Sequence, residues 1–329
     1  MTDLSVCITT YNLEKVLNQT LESVFAQNTA YSYEVLIGDD GSQDGTISIV
    51  RFWQERFPKV ISLYTMPREK GKKYNSIFRA SANRINLLRH AKGKYITFLD
   101  GDDFYIDNNK FQRQIDLLVK NPGCSICAHN MNYFYPKTSK VIPIVGVHRD
   151  AGIIRAKEYW KKRMYTPCEA CIMRNEFDIR ENDVRYFDDN FIIFLALQKG
   201  DCYYIPDIMA NYRQNENGYM KWDEEKCAVV NMLDCDMEVQ INPRWEKASL
   251  SRHFEHYMCL LKSKEQLEVR FPELYQQAVK DHAVYTLNLM NRSGRMKPGI
   301  RYFLWNKRIR QALLMQLSAW KRAIVSHGQ

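Results

Sequence analysis

The sequence predicts an α/β fold, with a mainly parallel sheet flanked by helices and a helical region at the C-terminus. Strand and helix patterns alternate over the first 130 residues. Two of the strand patterns end in clusters of aspartates, as expected where the ends of parallel strands form a ligand site. Glycine and strand signals fade after about residue 219. We therefore predict an α/β domain over residues 1–219 and a helical region over residues 220–329.

The strand predictions depend on short apolar runs rich in β-branched and aromatic residues. The clearest is the run from Lys94 to Leu99, which is followed at once by three aspartates around a glycine. The predicted strands cover residues 5–9, 34–38, 61–64, 94–99, 125–135 and 203–206.

The helix predictions depend on apolar residues spaced three and four positions apart. Leu17, Leu21 and Val24 form such a stripe in the first helix, and Pro58 ends the second. The predicted helices cover residues 18–27, 46–57, 74–90, 111–119, 156–163 and 191–198, and the segment beyond residue 219 reads as further helices.

Composition favours a globular protein with a packed core, because 45% of the residues are hydrophobic and no low-complexity segment occurs. No apolar run approaches the roughly 20 residues of a membrane span, and no signal peptide precedes the first strand. We therefore expect a cytoplasmic protein. Its nine cysteines are then expected to be reduced thiols.

Positive charge is concentrated at the C-terminal end. Residues 243–329 hold 16 Lys and Arg against 6 Asp and Glu, whereas the whole chain has a net charge of only +9. The stretch 307–325 is also amphipathic, with Trp320 on its apolar face. Such a helix either lies on an anionic membrane surface or packs on the body of the protein. The first alternative would place the protein at the inner face of the cell membrane.

Two aspartate clusters carry the most specific chemical signal. Residues 39–42 read Asp-Asp-Gly-Ser and residues 100–103 read Asp-Gly-Asp-Asp, each directly after a predicted strand. Both clusters reach the same edge if the strands are parallel. Carboxylates at this density suit Mg²⁺ or Mn²⁺ together with a diphosphate. Taken alone, the first cluster is also explained as a turn that begins a helix.

Three segments together resemble the family 2 glycosyltransferases. They are Thr-Thr-Tyr-Asn at 9–12, Ile-Gly-Asp-Asp-Gly-Ser-Gln-Asp-Gly-Thr at 37–46 and Gly-Lys-Tyr-Ile-Thr-Phe-Leu-Asp-Gly-Asp-Asp at 93–103. The resemblance extends over residues 4–219 and implies the GT-A fold, a Rossmann-like sheet that binds a nucleotide-diphosphate sugar. It implies a metal, Mn²⁺ or Mg²⁺, bound by Asp102 and Asp100. The donor contacts that it implies are Thr9, Tyr11, Asp39, Asp40, Arg68, Asp100 and Arg213.

Within this set the roles differ. Tyr11 is expected to stack on the base and Asp39 to accept from the uracil ring, while Asp103 supports its neighbours. Arg68 begins a basic run, residues 68–73, that either meets phosphate or is simply solvated.

The catalytic base is expected at Asp189, with Asp188 as the alternative. In the family, an aspartate begins a helix that ends in glycine, and a strand and Tyr-Arg follow. Here Gly200 and the pair Tyr212-Arg213 complete this pattern. A carboxylate is needed to take the proton of the acceptor hydroxyl. Either aspartate alone is also explained as a helix N-cap.

The sequence departs from the family pattern at Asn190, where tryptophan is common, and at Asn215, where histidine is common. A metal ligand from the last loop is therefore not expected. Glu169 either reaches the acceptor or lies on the surface. Two Cys-x-x-Cys pairs, at 124–127 and 168–171, formally suit zinc, but 40 residues separate them, so we interpret them as core thiols.

The resemblance implies a metal-dependent, inverting glycosyltransferase that uses a UDP-linked sugar. Its acceptor would be a saccharide or lipid-linked saccharide, in polysaccharide or lipopolysaccharide assembly. A sugar-phosphate nucleotidyltransferase is the rival enzyme, but the loop after the first strand lacks a glycine-rich, basic motif. A nucleic-acid-binding protein that uses the basic tail is the non-enzymatic rival, and it leaves the acidic clusters unexplained. We expect no nucleic-acid partner.

Overall fold

The computed structural model describes residues 2–72, 74, 76–144, 150–161, 167–177 and 187–214, and these residues form a ten-stranded mixed sheet flanked by helices. The strands are β1 (Leu4–Thr10), β2 (Tyr33–Asp39), β3 (Ile61–Thr65), β4 (Tyr95–Asp100), β5 (Phe104–Tyr105), β6 (Cys124–Tyr135), β7 (Lys140–Pro143), β8 (Gly152–Ile154), β9 (Cys171–Arg174) and β10 (Asp201–Arg213).

Six α-helices are described in the same ranges. They are α1 (Leu17–Phe25), α2 (Thr46–Arg56), α3 (Ser76–His90), α4 (Lys110–Lys120), α5 (Ala156–Lys161) and α6 (Asp189–Leu197). A short 3₁₀ helix, Cys168–Ala170, leads directly into β9. Among these elements, no helix is both long enough and apolar enough to cross a bilayer.

The strand order places β1 near the middle of the sheet. The order is β3-β2-β1-β4-β9-β6-β10-β5, with β7 added on β6 and β8 added on β10. The longest pairings are parallel: β1 with β2 and β4, β2 with β3, and β6 with β10. β9 is antiparallel to both of its neighbours. The carboxyl ends of β1, β2 and β4 therefore meet at one edge.

The core lies on both faces of the sheet because side chains alternate along each strand. In β1, Val6 and Ile8 pack in one apolar cluster with Leu21 of α1, whereas Cys7 packs in the other. The second cluster contains most of α6, which is apolar all round and correspondingly buried.

The structure confirms the predicted alternation of strands and helices through residue 135 and the mixed, mainly parallel α/β class. It corrects the strand predicted over 203–206, which extends over Asp201–Arg213 because two register shifts absorb the irregular part around Pro206. The short strands β5, β7, β8 and β9 were not predicted. The domain boundary near residue 219, the helical region 220–329, the tail 307–325 and Asn215 lie outside the described residues.

Candidate active site

The parallel register brings the predicted motif residues together at the carboxyl edge of the sheet. Thr9 is paired with Asp100 of β4, and Thr10 with Asp39 of β2. The Thr9 hydroxyl donates to Asp100 Oδ1 over 2.7 Å. Gly101 is needed here because a Cβ atom would lie 2.8 Å from the Thr9 carbonyl oxygen. The two aspartate clusters therefore lie side by side at this edge of the sheet, and the space in front of them is called the cleft here.

Asp39 holds the first acidic turn. Its Oδ1 accepts from the backbone N–H groups of Gly41 at 2.9 Å and Ser42 at 2.8 Å, and its Oδ2 accepts from the Thr10 hydroxyl at 3.0 Å and from the Ser42 hydroxyl. Gly41 has a φ of 78°, a backbone conformation that favours glycine. Asp39 is only 1% exposed. Its carboxylate therefore stabilises the conformation of the turn at residues 39–42.

Asp40 is buried and is held by two arginines. Arg68 and Arg79 both form ion pairs with its carboxylate, and Arg68 Nε also donates to the Asp40 carbonyl oxygen over 2.7 Å. The Arg68 guanidinium carbon lies 4.0 Å from the centroid of the Tyr11 ring. Arg68 thus contacts both the Tyr11 ring and the Asp40 carboxylate.

The second acidic turn brings three carboxylates together. Asp100 is at the end of β4, Asp102 follows Gly101, and Asp103 is buried with its Oδ2 lacking a hydrogen-bond partner among the described residues. Burial and the charges of Asp102, Glu169 and Asp100 raise the pKa of Asp103 well above its usual range. This concentration of hard oxygen donors suits Mg²⁺ or Mn²⁺.

Arg213, the last residue of β10, fixes the second acidic turn. Its backbone N–H donates to Asp103 Oδ1 over 2.7 Å, and its Nε donates to the Asp102 carbonyl oxygen over 2.6 Å. Its guanidinium carbon lies 5.2 Å from the ring centroids of both Phe104 and Phe134. Arg213 therefore holds the acidic turn in its conformation through these two hydrogen bonds.

Arg84 of α3 connects the acidic turn to the predicted base. Its Nη2 lies 3.0 Å from Asp100 Oδ1 and 3.3 Å from Asp189 Oδ1. The Cys168 thiol lies 3.3 Å from the same Asp189 oxygen. Sequence reasoning missed Arg84, because it is one of several basic residues in α3 and its partners come from distant segments. The signal in the sequence that could have identified Arg84 is its position 16 residues before Asp100.

The neighbouring Asp188 has a different role. Its side chain caps α6, accepting from the backbone N–H of Phe191 over 2.9 Å. Asp189 is the first residue of the helix, and its side chain is 19% exposed and lies 3.3 Å from Arg84 Nη2. Asp188 is therefore engaged as a helix cap and Asp189 contacts Arg84, while the assignment of the base to Asp189 stays a prediction.

Glu169 lies in the same cluster but is completely buried. Ligand atoms of Cys168, Glu169 and Asp189 lie within 4.8 Å of one another. Neither Glu169 carboxyl oxygen has a hydrogen-bond partner among the described residues. Burial, and then the charges of Asp189 and Asp100, raise the pKa of Glu169 well above its usual range, while Arg84 opposes the rise. Of the two alternatives that the sequence left open for Glu169, its burial excludes the surface position, and contact with the acceptor stays untested.

The four cysteines of the formal zinc pattern divide between the two core clusters. Cys124 and Cys127 lie in one, and Cys168 and Cys171 in the other, and all four are buried. Their placement fits the interpretation as core thiols.

The fold and the cleft correspond to a known family. The model of the family described as "Glycosyl transferase family 2" matches residues 5–179, which is more than half of the chain. The chain therefore belongs to glycosyl transferase family 2.

Curated relatives match part of their length. An uncharacterised protein of Mycobacterium tuberculosis is 25% identical over 219 residues, which cover 65% of this chain and 60% of that protein. WfgD of Escherichia coli, a "UDP-Glc:alpha-D-GlcNAc-diphosphoundecaprenol beta-1,3-glucosyltransferase", is 34% identical over 119 residues, covering 36% of this chain and 42% of WfgD. The chain thus spans less than two thirds of either relative.

Solved structures share the fold. TarS residues 1–349 from S. aureus, in complex with UDP, superposes with a TM-score of 0.59 at 18% identity, over 85% of this chain and 80% of that one. The complex of the same protein with UDP-GlcNAc gives a TM-score of 0.58 at 17% identity, over the same shares. These likenesses confirm the GT-A fold predicted from the sequence.

Proposed function

We propose that this protein transfers a sugar from a UDP-linked donor to a hydroxyl group of a saccharide or lipid-linked saccharide, with inversion at the anomeric carbon. The observation that carries the proposal is the link through Arg84, which joins Asp100 of the acidic turn to Asp189. It puts a donor-side carboxylate and a candidate base in one cleft. The family assignment favours sugar transfer over nucleotidyl transfer.

The nucleotide would bind at the end of β1 and β2. The Tyr11 ring offers a stacking face, and Asp39 or Asp40 would offer a carboxylate to a ring N–H. The oxygens of Asp39 accept from the turn, and those of Asp40 are paired with Arg68 and Arg79, so the base would have to replace a present partner at either aspartate. UDP and UDP-GlcNAc complexes of TarS support a uridine donor.

The diphosphate would lie against the second acidic turn. Asp102 and Asp100 would hold Mn²⁺ or Mg²⁺, and a bound cation would stabilise the charge that develops on the departing diphosphate. Arg213 keeps the turn in shape, and Arg68 of the basic run would have to leave Asp40 to contact a phosphate.

Asp189 would act as the base. It takes the proton of the acceptor hydroxyl as the acceptor oxygen forms its bond to the anomeric carbon. The bond from that carbon to the diphosphate oxygen breaks on the opposite side, and its electron pair leaves with UDP. An α-linked donor thus gives a β-linked product. Arg84 Nη2, 3.3 Å from Asp189 Oδ1, places a cation beside the carboxylate that would take this proton.

A panel of sugar nucleotides, assayed for UDP or GDP release with Mn²⁺, Mg²⁺ or EDTA, tests the proposal. We expect one UDP-sugar to be turned over, and we expect EDTA to stop the reaction. Asp102→Asn should abolish the metal-dependent part of UDP binding, measured by calorimetry. Asp189→Asn should leave UDP binding intact and lower turnover about 10²- to 10⁴-fold.

Asp207→Asn is the matched control, because this exposed carboxylate pairs with Arg113 away from the cleft. It should match wild type in both assays. Folded protein that releases no nucleotide from any donor, with saccharide acceptors present, would rule the function out. Loss of UDP binding in Asp189→Asn would instead overturn only the assignment of the base.

We also propose a lipid-linked acceptor and a membrane-binding role for the C-terminal region. WfgD is named for a diphosphoundecaprenol-linked acceptor, which supports a lipid-linked acceptor here. The basic stretch 307–325 would then hold the enzyme on the inner face of the membrane. Sedimentation of full-length protein with anionic vesicles, compared with a chain ending at residue 306, tests this.

A further inference from the structure

We propose that Glu169 is a positioning residue for Asp189, a neutral carboxylic acid that holds its proton throughout the reaction and hydrogen-bonds the base. This inference rests on the proposed function, because it takes Asp189 as the group that deprotonates the acceptor. The experiment below includes a measurement that needs no turnover, so the role of Glu169 and the proposed function can be disproved separately.

The positions of Glu169 and Asp189 favour a state in which one carboxyl group is protonated and the other is ionised. Ligand atoms of Glu169 and Asp189 lie within 4.8 Å of each other, too close for both to be ionised cheaply in a place without water. Glu169 is 0% exposed, whereas the side chain of Asp189 is 19% exposed. The more deeply buried group keeps the proton, since burial penalises charge.

The partners of Asp189 support the same division. Arg84 lies 3.3 Å from Asp189 Oδ1, and the Cys168 thiol is at the same distance from that oxygen. The Asp189 carboxylate therefore faces a cation and a hydrogen-bond donor. Neither Glu169 oxygen accepts a hydrogen bond from a described residue, so a Glu169 anion would be uncompensated, whereas the acid form can donate to Asp189. An orphaned buried carboxyl group is costly as an anion and much less costly as an acid.

Few groups around Glu169 could neutralise a negative charge on it. The charged or titratable groups that face it are Arg84 of α3, Asp100 of β4, Asp103 of the acidic turn, Tyr105 of β5, Lys110 of α4, Cys168 of the 3₁₀ helix, Cys171 of β9, Asp189 of α6 and Tyr212 of β10. Arg84 is already engaged by Asp100 and Asp189. Burial lowers the pKa of Lys110 to about 7, so this lysine is only partly charged at neutral pH.

The functional consequence concerns the orientation and charge of the base. An acid that donates to Asp189 stabilises the carboxylate and directs its free oxygen to the cleft. If Glu169 loses its proton at high pH, the donor disappears and a like charge appears beside Asp189. The base then loses its support, and turnover falls on the alkaline side.

The test compares Glu169→Gln, which keeps the shape and a hydrogen-bond donor but cannot titrate, with Glu169→Ala, which keeps neither. The probe is UDP release from whichever UDP-sugar the wild type turns over, measured against pH. We expect Glu169→Gln to stay within about 3-fold of wild type and to lose the alkaline decline. We expect Glu169→Ala to lose about 10- to 100-fold, as for loss of one hydrogen bond to a charged group.

The infrared difference spectrum between wild type and Glu169→Gln gives the second readout. A neutral carboxylic acid has a carbonyl stretch that a carboxylate lacks, and we expect that band in wild type at neutral pH but not in Glu169→Gln. Glu176→Gln, at an exposed carboxylate in the same segment, should keep the band and the activity. This measurement stands even if no donor is turned over.

Three results would overturn the inference. One is a missing acid band in wild type at neutral pH. Another is a Glu169→Gln variant as impaired as Glu169→Ala. The third is a Glu169→Ala variant with an unchanged kcat and only a raised KM for acceptor, which would make Glu169 an acceptor contact.

Discussion

At the scale of single residues, the site contains several titratable side chains that are buried in the structure without a ligand. Asp103 and Glu169 are acids with raised pKa values, and Lys110 is a base with a lowered one. All three shifts have burial as their largest cause. These residues make the cleft a region where charge is expensive unless a substrate group or cation compensates it.

Lys110 provides a test that needs no substrate. Its Nζ has no hydrogen-bond partner among the described residues and lies 4.4 Å from the centroid of the Tyr105 ring. Because its pKa falls from 10.5 to about 7 on folding, the unfolded chain binds more protons between these values. Stability therefore rises with pH across this window, and the penalty is complete below pH 7.

Lys110→Met should remove that penalty. We expect the free energy of unfolding, from urea titration, to increase by on the order of 2 kcal/mol at pH 6. The gain should shrink as the pH rises toward 10. Lys120→Met, at the exposed end of the same helix, should show no such trend. An equal gain at every pH would point to better packing instead of relief of a buried charge.

At the scale of elements, local pattern predicted most helices and strands, but not the short strands that complete the sheet. β9 has four residues and β5 has two, too few for alternation to be visible. Asp100, Asp102 and Asp189 were identifiable because they belong to motifs. Arg84 was not, because its meaning depends on two partners, one 16 residues away and the other on α6.

The start of α6 shows how adjacent aspartates divide their work. Asp188→Ala should lower the free energy of unfolding by about 1 kcal/mol, the usual loss for a helix cap. Asp188→Asn should retain the cap and the wild-type rate of UDP release, because asparagine also accepts from a backbone N–H. Thermal unfolding and the release assay check both. A normal melting temperature with collapsed turnover in Asp188→Asn would make Asp188 the base.

At the scale of the whole molecule, the site joins segments that are distant in sequence. The donor side comes from β1, β2 and β4, the candidate base from α6 and the support of the acidic turn from β10. The parallel register of β1 with its neighbours made the first part foreseeable. The second part depends on packing of the later segments, which a single sequence does not reveal.

Arg213 tests this long-range support. Arg213→Ala removes the donation to the Asp102 carbonyl oxygen and the packing between Phe104 and Phe134. We expect it to weaken Mn²⁺-dependent UDP binding about 10-fold, roughly the value of a lost charge-assisted hydrogen bond. Calorimetry with and without EDTA measures the effect.

Arg174→Ala is the matched control for Arg213→Ala. Arg174 also donates to backbone carbonyl oxygens, those of Cys124 and Leu118, but away from the cleft. It should lower stability without changing metal-dependent binding. If both variants lose UDP affinity in proportion to their loss of stability, Arg213 has no specific role in the acidic turn.

The contact between Arg213 and Asp103 also sets an order of events during synthesis. The two residues are 110 positions apart, and Arg213 reaches Gln19 across 194 positions. A growing chain therefore exposes the acidic turn long before the strand that braces it has left the ribosome. Contacts of such sequence separation form late, because closing the loop is entropically costly. The nascent chain thus completes its sheet around β1 first, and it gains the shaped acidic turn only when β10 docks.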